Sequence, residues 1–149
     1  MKKLITVLLC LMVISICILP CSAVDNREVI FYAEEALENG IVVVDTITEN
    51  NPISRSMSRS VTREKIYYFN DEVIAEIAIT ATFRYDTQSV SVVSKSISKC
   101  ETYDGWSFKQ SSFTSSGGTV SLTGKLTKLL VLNANVSISL TCDENGNIS

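Results

Sequence analysis

The 149-residue chain contains no histidine. That absence removes Ser-His-Asp and Cys-His catalysis and zinc sites built on imidazole. It also removes the side chain that titrates nearest neutral pH. An enzyme on this chain has only paired carboxylates, a lysine or a carboxylate-bound metal to work with. No C-x-x-C pair occurs among the five cysteines, so the usual spacing of a redox dithiol is missing. Nor is there a basic excess: 13 basic residues stand against 16 acidic ones, whereas a general nucleic-acid-binding face needs the opposite balance.

What is present begins with "MKKLITVLLCLMVISICILPCSA". Lys2 and Lys3 give a positive start, Leu4 to Leu19 an uncharged apolar stretch, and Cys21-Ser22-Ala23 a run of small residues. These are the three parts of a secretory signal peptide. Cleavage is expected between Ala23 and Val24, giving a secreted, extracellular chain with no membrane attachment afterwards. A retained anchor is the rival reading, but a membrane-spanning helix needs about 20 apolar residues and this stretch is shorter. A lipoprotein signal needs a small residue before the modified cysteine, and Pro20 and Ile16 stand before Cys21 and Cys17.

Cleavage would remove Cys10, Cys17 and Cys21 and leave Cys100 and Cys142. An even count in a secreted chain reads as a disulfide. The closed loop of about 43 residues would contribute ~4 kcal/mol in the chain-entropy model. The remaining charge is uneven. Residues 24–53 hold seven acids against Arg27 alone, while residues 54–149 hold ten basic and nine acidic residues. The acidic leader is either a solvated arm or lies against basic patches on the rest.

Along the chain, "VDNREVIFYAEEALENG" suits a short helix or an extended arm, and "IVVVDTIT" at 41–48 reads as a β-branched strand. "ENNPISRSMSRSVTREK" lacks apolar period and has linker composition, with Arg55, Arg59 and Arg63 every four residues as sites for trypsin. From Val61 the pattern turns to period two. Val73, Ala75, Ile77, Ile79, Ala81, Phe83 and Tyr85 fall on one face of a strand long enough to call for a bulge. In "VSVVSKSIS" the adjacent Val92 and Val93 signal a bulge or burial on both faces. Asn70-Asp71 and "SSGG" mark turns. Val120, Leu122, Gly124 and Leu126 share a face, as do Ala134, Val136, Ile138, Leu140 and Cys142. Six strands from residue 61 onward predict an all-β, antiparallel sandwich, with a closed barrel as the lesser option. The expected division is 1–23 signal peptide, 24–60 partly irregular acidic arm and Ser/Arg linker, and 61–149 β-sandwich domain.

Four places carry a resemblance: the long strand ending "ITATFRYD", the "GWSFKQSSF" and "SSGGTVSLTG" hairpin, the strand "VSISLTC", and the terminal "DENGNIS". Over about its last 90 residues the chain resembles an uncharacterised family of small secreted proteins of Gram-positive, often gut-dwelling, bacteria. The resemblance implies an immunoglobulin-like sandwich and no established activity. In that family the first cysteine lies nearer the turn after the aromatic-rich strand. Here Ser89 and Ser91 stand there and Cys100 comes later.

Candidate sites are few. Asp143, Asn145 and Asn147 have the spacing of a calcium loop, but Ile148 replaces its glycine and no glutamate follows; an Asn-Gly turn is the simpler reading. Trp106 reads as a core residue, and "GWS" is no nucleophile elbow, since Lys109 stands where the second glycine belongs. Glu101 with Asp104, and Asp71 with Glu72, are carboxylate pairs at turns, of use to a glycosidase only across a cleft. The sequence therefore predicts no catalytic residue, cofactor or metal. It predicts a non-catalytic binding or structural module for a surface, glycan or protein, with no nucleic-acid partner. The alternative is a small extracellular enzyme or inhibitor using loop carboxylates.

Overall fold

The structure, a computed structural model, describes residues 27–50, 57–129 and 132–149. The leader, the Ala23–Val24 junction and Arg55 lie outside the described residues. Eight strands run through the rest: β1 (Glu28–Ala36), β2 (Ile41–Glu49), β3 (Ser58–Phe69), β4 (Glu72–Asp86), β5 (Ser89–Thr102), β6 (Ser107–Ser116), β7 (Thr119–Lys128) and β8 (Leu132–Thr141). They form two antiparallel sheets, β1-β2-β3-β4-β5 and β6-β7-β8, in which every neighbour is also the next strand in sequence. The smaller sheet covers the β3–β5 part of the larger, with β8 over β3 and β4 and with β6 and β7 over β5. The protein is thus all-β and sandwich-like.

Local chemistry sets the turns. Asn70 and Asp71 both take positive φ, 52° and 65°, the backbone of a two-residue hairpin whose twist matches its strands. Gly117 does the same between β6 and β7. The Asp86 carboxylate accepts the amides of Gln88 and Ser89 and so closes the β4–β5 turn.

The period-two reading of β4 holds from Ala75 onward, but the bulge at Ile74 corrects its start: Ile74 joins the core, and Val73, paired with Tyr68, falls on the outer face. Ala75, Ile77, Ile79, Ala81 and Phe83 are buried between the sheets with Leu122, Leu126, Val136, Ile138 and Leu140 from β7 and β8. Each large aliphatic or aromatic side chain buried this way contributes about 1.5–3 kcal/mol. The β3–β4 register slips at Ile74, and the β4–β5 register slips at Val93 and Ser98. Val93 is the bulged, exposed member of the Val92–Val93 pair. Outer faces are stitched by hydroxyls across neighbouring strands, as in Thr62 with Thr80 and Ser121 with Ser139.

The boundary expected at residue 61 is corrected. β2 pairs with β3 without a register break from Ile41↔Phe69 to Glu49↔Val61, and β1 pairs with β2. Ile41, Val43 and Ile47 are buried in the same core as β4. The segment read as a linker already contains the first residues of β3, so Arg59 and Arg63 are strand residues rather than open sites for trypsin. The reason is charge placement. Arg59 and Arg63 lie four apart and therefore on one face of a strand, and that face is the inner one. There they meet Asp45 and Glu49, which have the same spacing on β2 and are themselves buried. Arg63 Nε and Nη2 donate to the two Asp45 oxygens at 2.9 and 2.8 Å, and its Nη1 donates to the Ser139 carbonyl of β8 at 2.6 Å. Arg59 pairs with Glu49 through Nε at 2.8 Å and through Nη2, and its Nη1 reaches the Gly146 carbonyl at 2.6 Å. Lys65 adds a second cation 3.5 Å from Asp45. Two acids of the 24–53 stretch, Asp45 and Glu49, thus lie against basic residues of β3.

Candidate functional site

The disulfide expectation is the second correction. Cys142 does face the core, as the alternation of β8 predicts, but both Cys100 and Cys142 are free thiols. Cys100 lies on β5 opposite Ile77 and is exposed. Cys142 donates its amide to the Gly118 carbonyl, and a side-chain carbon at Gly118 would meet Val90 Cγ1 at 2.6 Å. Cys142 therefore sits at the Val90 end of β5, whereas Cys100 is ten residues farther along that strand. At ~3.3 Å per residue the separation is roughly 30 Å, against the ~4.4–6.8 Å between Cα atoms that a bridge needs. Burial pushes the Cys142 thiol above its ordinary pKa, which keeps it protonated and unreactive.

The terminal loop is a turn held by its own aspartate. Asp143 Oδ1 accepts the amides of Asn145 and Asn147, each at 2.8 Å, and Oδ2 accepts Asn147 Nδ2 at 2.7 Å. These bonds, the Asn147 side chain first, hold the Asp143 carboxyl below its usual range. Both of its oxygens are engaged by the chain's own donors. Among the described residues no three Cys, Asp or Glu side chains converge as a metal site.

The carboxylate pairs are rearranged by the sheet. Glu101 lies directly across from Glu76 on β4 rather than beside Asp104. The Tyr103 hydroxyl donates to Glu101 at 2.6 Å and to Glu76 at 3.1 Å, and Lys99 joins Glu76 and Glu64. The hydrogen bond to Glu101 is the main reason the Tyr103 phenol is pushed up to about 12; Lys99 lowers Glu76. Each group already has a partner, and the cluster lies on the outer face of β3, β4 and β5. It is an ion-pair network of a solvated sheet, not two acids across a cleft. Trp106 is buried with its ring edge-to-face on Phe69, centroids 6.1 Å apart, and its Nε1 finds no acceptor among the described residues.

Asp71 has a different companion from the one its sequence neighbour suggested. A concavity of about 430 Å³ lies on the outer face of β1, β2 and β3, lined by Glu34, Gly40, Val42, Val44, Tyr68, Asn70 and Asp71. Strand geometry builds it. Val42 is paired with Tyr68 and Val44 with Glu34, so these side chains share one face. The β1–β2 turn at Gly40 and the β3–β4 turn at Asn70-Asp71 rise at the same end, because Ile41 is opposite Phe69. The result is an apolar and aromatic floor with carboxylates from two elements at its margin. A smaller hollow of about 220 Å³ is lined by Arg59, Tyr85 and Asn147, but Arg59 is engaged there by Glu49 and Gly146.

The sequence reading missed Glu34, Val42, Val44 and Tyr68 as a group because they come from three strands. The one available signal was the outward parity of Val42 and Val44, apolar residues on the face where β2 continues with Thr46 and Thr48. Compared with protein-family models, curated proteins and solved structures, the chain has no match.

Proposed function

We propose that the chain is a secreted, non-catalytic binding module whose recognition site is the trough at Glu34, Val42, Val44, Tyr68 and Asp71. One observation carries the reading. An apolar floor with a tyrosine, bordered by Glu34 and Asp71 that make no ion pair with any described residue, suits a ligand with an apolar or sugar-like body and hydrogen-bond donors or a positive charge. Secretion is part of the proposal and rests on the leader's composition; N-terminal sequencing of exported protein should begin at Val24, and an exported chain beginning at Met1 overturns it. Membership of the Gram-positive secreted family and the immunoglobulin-like class are likewise proposals. Two antiparallel layers with a buried tryptophan favour the latter, while the strictly sequential strand order departs from the exchange of strands between sheets in immunoglobulin domains.

The test is a binding screen of the native protein against glycan and peptide arrays, repeated with Tyr68→Ala and Val44→Asp. Both positions lie on the outer face, so the core is left intact. At least a tenfold loss of affinity for whatever binds is expected from each. Unchanged binding in both variants, or catalytic turnover of a bound ligand, overturns the reading.

A further inference from the structure

We infer that β1 is a strand acceptor: an extended, lysine- or arginine-bearing segment of a partner protein adds to its free edge, beside the trough. The inference rests on the binding-module reading and names the class of partner. β1 lies at the margin of the five-stranded sheet, and no described strand pairs with its other side. It also lies beyond the part of that sheet covered by β6–β8. Val29, Ile30, Phe31 and Tyr32 are consecutive exposed apolar residues, with Val29 and Tyr32 at 60% and 62% exposure. Phe31 is held in place by the Arg63 guanidinium 5.5 Å from its ring centre.

The other sheet margins carry devices that oppose pairing. β5 has bulges at Val93 and Ser98. β8 has Arg63 on the Ser139 carbonyl and a pair of hydrogen bonds between Thr141 and Ser149. On β6, Lys95 donates to the Phe113 carbonyl. β1 has one bulge, at Ile30, and its remainder from Phe31 to Ala36 is regular and apolar-to-acidic. An exposed edge of this kind is a template for strand addition.

The hydrogen-bond phase shows which groups are offered. Leu37 donates its amide to Ile41 of β2, and amides along an antiparallel strand alternate in direction. Those of Ala33 and Glu35 therefore also point to β2, and those of Tyr32 and Glu34 point to the free edge. A residue added opposite Glu34 stands about 5 Å from it and roughly 10 Å from the Val42–Val44 floor, within reach of a lysine or arginine side chain.

Charge selects the occupant. Glu34 and Glu35 make no ion pair with a described residue, and they lie on opposite faces of β1, so basic residues on either face of an added strand are met. A second copy of β1 would instead gather both sets of glutamates on one ribbon, which like-charge repulsion opposes.

The test measures affinity of the native chain, as its host processes it, for a blocked ten-residue peptide of alternating lysine and valine. A peptide with glutamate for lysine is the control. The basic peptide should bind and the acidic one should not. Glu34→Lys with Glu35→Lys should weaken the basic peptide about tenfold or more and reverse the preference. Tyr32→Pro removes an outward amide without touching the β2 ladder and should abolish binding, while Tyr32→Ala, which keeps the amide, should retain it. Melting curves matching the parent show that each variant is folded. No binding of the basic peptide at millimolar concentration, equal binding of both peptides, equal behaviour of Tyr32→Pro and Tyr32→Ala, or a β1-dependent dimer in sedimentation each overturns the inference. Binding lost in Val44→Asp but kept in Tyr32→Pro overturns it while leaving the trough as the recognition site.

Discussion

Arg63 shows how much one side chain does here. It neutralises Asp45, reaches the Ser139 carbonyl in the opposite sheet and holds the Phe31 ring. The pair is mostly withdrawn from water, with side-chain exposures of 18% and 12%, so removing one member leaves a poorly solvated charge on the other. Arg63→Met should cost about 2–3 kcal/mol in denaturant unfolding, below the full value for a deeply buried pair because Lys65 remains near Asp45. A loss under about 0.5 kcal/mol, the level of an exposed pair, would show that the seam is hydrated. The thiols give a second residue-scale test. Cys100 should react with a thiol reagent in the folded protein and Cys142 only on unfolding, and a reductant should leave the melting temperature unchanged. A crosslinked Cys100–Cys142 peptide in mass spectrometry would contradict the strand placement.

At the scale of elements, parity decides most contacts. β7 puts Gly124 on the same inner face as Val120, Leu122 and Leu126, and the Phe108 ring of β6 lies over the space its missing side chain leaves. An added methyl would meet that ring and also the Lys109 carbonyl at 2.7 Å. The ring can turn aside; the strand backbone cannot do so without shifting the β6–β7 ladder. Gly124→Ala should therefore destabilise by about 1–3 kcal/mol, read as a lower denaturant midpoint at unchanged slope. A neutral result would mean that β6 is displaced from β7 at this point. The same parity argument places Asp45 and Glu49 opposite a positive face: charges four apart on each of two hairpin-linked strands meet when the strands pair.

For the molecule as a whole, acid should be the weak side. Asp143 is lowered chiefly by Asn147, Asp86 by the amides of Gln88 and Ser89, and Glu76 by Lys99. Each carboxyl titrates lower in the folded chain than in the unfolded one. The stability it contributes is present above the unfolded value, near pH 4, and is lost as the pH falls through the folded values. Thermal melts should fall off below about pH 4, and Asp143→Asn, which still accepts the two backbone amides, should flatten that fall. An acid limb identical to the parent's would remove Asp143 from the account. The missing bridge matters at this scale too: the two-cysteine count no longer supports an oxidising compartment, so export rests on the composition of the leader alone.

The sequence by itself determined the all-β class, the inward faces of β7, β8 and of β4 from Ala75 onward, the turns at Asn70-Asp71 and in "SSGG", the Val92–Val93 irregularity and the inward aim of Cys142. These are local: a period of two, a residue tolerant of positive φ, or two apolar neighbours that cannot share one face. Only the tertiary structure decided what each face meets. It drew β1 and β2 into the sheet by matching Asp45 and Glu49 to Arg63 and Arg59, separated Cys100 from Cys142 by most of the length of β5, and assembled the trough from Glu34, Val42, Val44, Tyr68 and Asp71. Pairing between strands fixes distances that spacing along the chain does not record, and every disputed feature of this protein depended on such a distance.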